Sequence, residues 1–211
     1  STSIELIKYN TQQVITKSIQ ADQPMIDEIQ DGYVSWFKIS GFSDVNHISD
    51  ICKTFGIHKF DIKDLLSNLQ VTKVVTYDKA TFVMASGCVT NENNIEVEQI
   101  AFILGKNYVI SFQESQSPIF DDVISTIKDG RFQLRENKAD YLLYILLNAL
   151  HSQYIDNIYQ LNDKMDEMED LLIDQQLTDK SIMKFFRDSR RNYALLRRSI
   201  SPFREEFSNL M

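Results

Sequence analysis

Two runs of apolar residues at helical spacing fill the last third of the chain, and no other feature constrains its fold as much. Apolar side chains recur at steps of three and four from Leu143 to Leu172, and again from Ile182 to Leu210. This spacing places each set along one side of a helix, and the length of the runs favours coiled-coil packing. The polar residues 175–179 separate the runs. The sequence therefore predicts a long antiparallel hairpin of two helices.

Charged residues on the two predicted helices complement each other. The first helix is rich in aspartate and glutamate and the second in lysine and arginine, so antiparallel packing would bring unlike charges together. Exposed ion pairs contribute only about 0.2–1 kcal/mol each, and we interpret the carboxylates of residues 163–174 as a solvated, salt-bridged face. The predicted pairs are Asp156 with Arg198, Asp163 with Arg191, Glu167 with Arg187, and Asp170 with Lys184.

The first 137 residues predict a sheet with short helices. Short polar connections between the predicted strands favour antiparallel neighbours. We predict an α/β (or α+β) class: a mixed, mostly antiparallel sheet of about six or seven strands flanked by helices in residues 1–137, followed by the hairpin in residues 138–211. Strands are predicted at residues 4–9, 14–19, 33–39, 73–77, 81–89, 95–104 and 108–113, and helices at residues 43–56, 58–67 and 120–128.

Composition limits the classes of partner. The formal net charge of −8 argues against nucleic-acid binding, because contacts to phosphate need a basic face. The longest nearly apolar run, residues 141–150, is about half as long as the ~20 residues that a membrane span requires. Cys52 and Cys88 share no recurring spacing, and we interpret them as free thiols in a reducing compartment.

The sequence carries no arrangement of residues that predicts catalysis. The six glycines are too dispersed for a phosphate-binding loop, and no serine lies in a G-x-S-x-G pattern. His47, His58 and His151 lack the spacing of a helical zinc site. We therefore predict that the chain is not an enzyme and has no catalytic residues.

Several short stretches match, in order, motifs of one known family. Residues 36–41 (WFKISG) fit the pattern W-x-x-x-x-G. Residues 56–58 (GIH), followed by Asp64, Gln70 and Lys73, are similar to G-I-H-P-L…E-D…Q-R-P-K-V-E.

Further matches extend this series towards residue 205. Residues 98–100 (EQI) and 112–114 (FQE) resemble the motifs E-Q-V and F-Q-E. The closest match is residues 139–144 (ADYLLY), and residues 195–205 (LLRRSISPFRE) resemble L-R-[KR]-x-I-x-P-[LF]-R-E. Together these stretches resemble the cytoplasmic part of the CorA family of divalent-cation transport proteins, which move Mg²⁺ and also Co²⁺ and Ni²⁺.

The resemblance implies a regulatory function. It implies a homo-oligomer, a pentameric channel whose cytoplasmic domains bind regulatory Mg²⁺ between neighbouring protomers and close the pore when Mg²⁺ is plentiful. The chain would be the cytoplasmic domain at the inner membrane, and the helix pair its acid-tipped arms. A stalk helix and two membrane spans with a Gly-Met-Asn motif would follow residue 211, and only they would enter the membrane.

The resemblance also assigns candidate metal ligands. Asp64 matches the family's metal-binding aspartate, whose partner lies on the neighbour's stalk beyond residue 211, so Asp64 is predicted to be half of a Mg²⁺ site. The ligands of a second family site are replaced by Lys63 and Asn148, and an ammonium and an amide are poor partners for a hard cation. We therefore expect that second site to be lost. Val71 and Thr72 stand where the family has Arg-Pro.

Two other functions fit the same sequence. One is the cytoplasmic domain of a related zinc transporter, which the motifs of this region do not distinguish from a magnesium transporter. The other is a helical-hairpin adaptor that binds another coiled coil and no metal.

Overall fold

The computed structural model describes residues 1–67, 69–91, 94–174 and 179–208. Seven strands form one sheet in the order β2-β1-β3-β7-β6-β5-β4. β3 and β7 are parallel, and the other neighbouring pairs are antiparallel, so the predicted mixed, mostly antiparallel sheet is confirmed. The strands are β1 (Ser3–Tyr9), β2 (Val14–Ile19), β3 (Val34–Ser40), β4 (Lys73–Thr76), β5 (Thr81–Asn91), β6 (Asn94–Leu104) and β7 (Tyr108–Gln113).

Short turns set most of the strand order. In the β1–β2 hairpin the side chain of Asn10 accepts hydrogen bonds from the backbone N–H groups of Gln12 and Gln13, both at 2.9 Å, which is a typical asparagine turn. The long β5–β6 hairpin pairs from Thr81 with Leu104 to Asn91 with Asn94. Its predicted connection includes residues 92 and 93, which lie outside the described residues.

In the described ranges, five α-helices accompany the sheet: α1 (Val45–Thr54), α2 (Lys59–Leu65), α3 (Asp121–Asp129), α4 (Ala139–Ile173) and α5 (Asp179–Ser208). A short 3₁₀ segment, Met25–Glu28, lies between β2 and β3, and a second, Arg131–Glu136, lies between α3 and α4. The three helices predicted in the first 137 residues are confirmed, with one shift. Asp44, rather than Ser43, is the N-cap of α1, since its side chain accepts from the N–H of His47 at 3.0 Å.

Both faces of the sheet are covered, because alternate residues of each strand point to opposite sides. On β3, Phe37 belongs to a core that includes residues of α1 and α2. Its neighbour Trp36 belongs to the opposite core, which includes residues of α3 and the first part of α4. Buried residues such as Leu142, Leu146 and Leu150 hold α4 against this second face.

The two long helices of the predicted hairpin are confirmed, but their buried faces differ from the prediction. Ile158 and Met165 on α4 are exposed, and Phe186 and Tyr193 on α5 are 51% and 61% exposed. The turn residues 175–178 and the seam residue Leu210 lie outside the described residues, as do the side chains of Phe203 and Phe207.

None of the four predicted ion pairs between the helices is present among the described side chains. Arg191, for example, donates to the side chain of Asn94 on β6 at 3.2 Å. The predicted pairing was wrong because it assumed that the two helices pack only on each other, whereas buried residues of both helices also contact the β5–β6 hairpin.

Polar residues occupy the buried stripe at this point. Asn157 on α4 accepts from the hydroxyl of Thr90 on β5 at 2.6 Å, and Asn192 on α5 accepts from the N–H of Ile95 on β6 at 3.4 Å. The hydroxyl of buried Tyr154 donates to the carbonyl of Ser86 on β5 at 2.5 Å. Each long helix is thus hydrogen-bonded to the sheet as well as packed on it.

Candidate functional site

The predicted metal ligand Asp64 lies in the last turn of α2. This helix begins after Gly56, which has a positive φ of 83°, and it is capped by His58, whose ring accepts from the N–H of Phe60 at 3.3 Å. Asp61 precedes Asp64 by three residues, so the two carboxylates lie on the same side of the helix. Asp61 is buried, whereas the side chain of Asp64 is 40% exposed.

A lysine from the edge of the sheet lies between these carboxylates. Lys73 is the first residue of β4, which pairs with β5 and lies at the end of the strand order. Its ammonium nitrogen lies 2.5 Å from Oδ1 of Asp61 and 2.5 Å from Oδ2 of Asp64. We call Asp61, Asp64 and Lys73 the α2–β4 triad.

Tyr77 completes the surroundings of Asp61. Its hydroxyl donates a hydrogen bond to Oδ2 of Asp61 and accepts one from the N–H of His58 at 3.1 Å. Burial alone would raise the pKa of Asp61, but the hydrogen bonds from Lys73 and Tyr77 outweigh it, so this pKa lies below its ordinary value. The same triad contacts raise the pKa of Lys73 against the opposing effect of its burial. Asp61 and Lys73 are therefore both charged at neutral pH.

The exposed carboxylate of Asp64 is a chemically suitable ligand for Mg²⁺, which binds carboxylate and water oxygens. One of its oxygens already accepts a charged hydrogen bond from Lys73. The residues present therefore fit one half of a Mg²⁺ site, with an ammonium group as a direct competitor. Within the described part of the chain, no group of three or more His, Cys, Asp or Glu side chains is placed to hold a metal ion.

The two residues assigned to the second family site are far apart in the architecture of this chain. Lys63 is exposed on α2, which packs on one face of the sheet, and Asn148 is exposed on α4, which packs on the other. The structure does not bring these two side chains together within one protomer.

The sequence motif contains both Asp64 and Lys73, but it does not show that their side chains meet. No pattern in the sequence singles out Asp61 or Tyr77. The spacing of Asp61 and Asp64 on a predicted helix is a usable signal for a shared partner. That partner is Lys73, and its position depends on how β4 pairs with β5. The sequence of α2 carries no information about this pairing.

Solved structures of other proteins share this fold. The complete CorA magnesium transporter from Methanocaldococcus jannaschii aligns with a TM-score of 0.74 at 15% identity, over 97% of this chain and 62% of that one. The full-length CmaX protein aligns with a TM-score of 0.75 at 17% identity, over 99% of this chain and 63% of that one. These alignments show that the fold is shared over nearly the whole chain.

The sequence identifies the family. The family model described as CorA-like Mg²⁺ transporter protein matches residues 31–211, and the chain belongs to this family, which comprises transporters and not enzymes. The cobalt/magnesium transport protein CorA of Thermotoga maritima is 31% identical over 178 residues, which is 83% of this chain and 50% of the relative. The chain thus spans half the length of that relative. No helix in the described ranges has both the length and the apolar character needed to cross a bilayer.

Proposed function

We propose that this chain is the cytoplasmic, Mg²⁺-responsive region of a CorA-type transporter of Mg²⁺ and Co²⁺. The observation that carries this proposal is the family match over residues 31–211. The relative from Thermotoga maritima, named as a cobalt/magnesium transport protein, supports the choice of ions. The complete protein would act as a homo-oligomer, a pentamer, at the inner membrane, and its membrane spans would lie outside residues 1–211.

Asp64 is the residue we assign to Mg²⁺ sensing in that oligomer. Its carboxylate is partly exposed at the end of α2, where it can meet a carboxylate of a neighbouring protomer. Bound Mg²⁺ would supply a positive charge that holds two acidic surfaces together. A ligand shifts the equilibrium between the open and closed states only by its difference in affinity for the two states. The carboxylate of the neighbouring protomer would therefore have to lie beside Asp64 in the closed state only.

We further propose that residues 1–137 and 138–211 have different tasks. The first region holds Asp64, and the second holds the two long helices. The first part of α4 shares a core with the sheet, so a movement of the first region would be passed directly to the helix pair.

Ion flux through the full-length protein tests the transport function. Proteoliposomes containing it should take up Mg²⁺ and Co²⁺, and uptake of Zn²⁺ alone would favour the zinc transporter instead. A protein that moves none of the three ions would support the adaptor.

The role of Asp64 is tested by the dependence of flux on cytoplasmic Mg²⁺. We expect Asp64→Ala to require several-fold more Mg²⁺ for closure, because one of the charges that hold the ion is gone. Asp50→Ala is the matched control, since Asp50 is also an aspartate paired with a lysine, Lys53, at 3.2 Å. Identical inhibition curves for Asp64→Ala and the wild type would contradict a sensing role.

A further inference from the structure

The ammonium group of Lys73 lies where two carboxylates converge. Oδ1 of Asp61 and Oδ2 of Asp64 both lie 2.5 Å from this one nitrogen, so they are separated by at most twice that distance. Oxygens bind Ca²⁺ at about 2.3–2.6 Å and Mg²⁺ at about 2.0–2.1 Å. Lys73 therefore lies at nearly the distance from these oxygens that a bound cation would have.

The two carboxylates hold Lys73 unequally. Asp61 is buried, and it is fixed by a second donor, the hydroxyl of Tyr77. Asp64 is 40% exposed, and its side chain has no second donor among the described residues. Water and dissolved ions can thus approach Asp64 far more easily than Asp61. The contact between Lys73 and Asp64 is the one that a dissolved cation can replace.

We propose that Lys73 is a built-in competitor that sets the affinity of Asp64 for divalent cations. This inference rests on the proposed role of Asp64 as a metal ligand. A divalent cation approaching Asp64 must displace the ammonium or bind beside it, and either event costs electrostatic energy. Asp61 keeps the displaced ammonium, so α2 stays attached to β4 during the exchange. Lys73 acts as a positioning residue through Asp64 and does not touch the ion.

Binding of Mn²⁺, a paramagnetic substitute for Mg²⁺, tests this competition in the 211-residue chain. Electron paramagnetic resonance measures the free Mn²⁺ directly. We expect Lys73→Gln to bind Mn²⁺ at least about tenfold more tightly than the wild type, because the competing charge is removed while a polar side chain remains. Lys53→Gln removes a lysine from an exposed ion pair with Asp50 and should leave the affinity unchanged.

Two further variants locate the effect. Adding Asp64→Asn to Lys73→Gln should abolish the gain in Mn²⁺ affinity, because Asp64 supplies the ligand oxygen. Lys73→Arg keeps the charge and should show no gain. Equal Mn²⁺ affinities for the wild type and folded Lys73→Gln would overturn the proposal, and so would an equal gain in Lys53→Gln.

A measurement on the wild type covers the case in which Lys73→Gln does not fold. In a chain with ¹³C at the lysine Cε and aspartate Cγ positions, addition of Mg²⁺ should shift the signals of Asp64 and Lys73 and leave that of Lys53 in place. A shift of the Asp64 carboxyl signal without any change at Lys73 would overturn the competition. These binding results are separate from flux: if Lys73→Gln gains affinity but Asp64→Ala leaves flux unchanged, the sensing role fails and the competition at Asp64 stands.

Discussion

The charge of Asp61 depends on the donors that surround it. Lys73 and Tyr77 both donate to its carboxylate, and the residue is 8% exposed. Burial acts to raise the pKa of Asp61, but these hydrogen bonds favour the ionised form and hold the pKa below the ordinary value of 3.8. A carboxyl group with a lowered pKa stabilises the fold at any pH above its unfolded pKa, and this contribution is lost as the pH falls through the folded pKa.

Replacement of Asp61 by asparagine should therefore have a pH-dependent cost. At pH 7 we expect Asp61→Asn to lower the free energy of unfolding by about 1.5–3 kcal/mol, the range for hydrogen bonds to charged groups. The difference from the wild type should shrink as the pH falls below 3.8. Urea unfolding at several pH values measures it, with exposed Asp50→Asn as the control. A difference that stays constant down to the lowest pH at which both proteins fold would contradict this account.

The two cysteines give a second test at the residue scale. Both are free and buried, and burial raises the pKa of Cys52 and of Cys88 to about 12. Since the thiolate is the reactive form, neither should react with a thiol reagent at pH 8 until the protein unfolds. The reaction can be followed by absorbance in buffer and in urea. Rapid labelling in buffer would show that at least one of the two thiols is accessible to solvent in the folded protein.

At the scale of the elements, α4 and α5 show what apolar spacing can and cannot predict. The spacing correctly predicted two long helices, because the period of 3.6 residues is a local property. It placed Ile158 in the buried stripe, whereas the structure buries Asn157 and exposes Ile158. Asn157 is buried because Thr90 of β5 offers it a hydrogen bond. No pattern within α4 contains that information, since Thr90 is 67 residues away.

Substitutions on α5 distinguish the observed buried stripe from the predicted one. Leu196 is 2% exposed and packs with Tyr154, Cys88 and Ile95, so Leu196→Ala should cost about 2–4 kcal/mol of unfolding free energy. Phe186 is larger but half exposed, and Phe186→Ala should cost less than about 1 kcal/mol. Chemical denaturation of the two variants measures both values. An equal loss of unfolding free energy in the two variants, or a larger loss for Phe186→Ala, would mean that Phe186 is buried, as the apolar spacing predicted.

At the scale of the whole molecule, the sheet is the centre of the fold and the helix pair extends from it. The antiparallel neighbours were predictable because short turns join them. The parallel pairing of β3 with β7, which places Ser35 beside Tyr108, was not, because residues 41–107, about half of the first region, separate those strands. The position of Asp64 could be predicted from its motif, but its bond to Lys73 depends on where the edge strand β4 lies.

Burial along the two long helices predicts a gradient of stability. The buried residues Leu150, Tyr154 and Asn157 of α4, and Asn192, Leu196 and Ser199 of α5, lie in the halves nearest the sheet.

Beyond them, residues 163–173 of α4 and 180–191 of α5 include no buried residue. Backbone amides exchange slowly only where buried contacts must open first. Hydrogen–deuterium exchange should therefore be slow at residues 142–157 and at least about tenfold faster at residues 163–173, although one continuous helix holds both. The amides of residues 142–157 should exchange at rates similar to those of β5 and β6. This similarity would identify the part of α4 that unfolds together with the sheet. Uniform protection along α4 would mean that the helix pair is stabilised by contacts of its own. The boundary between the sheet region and the helix pair would then lie at residue 138 and not within α4.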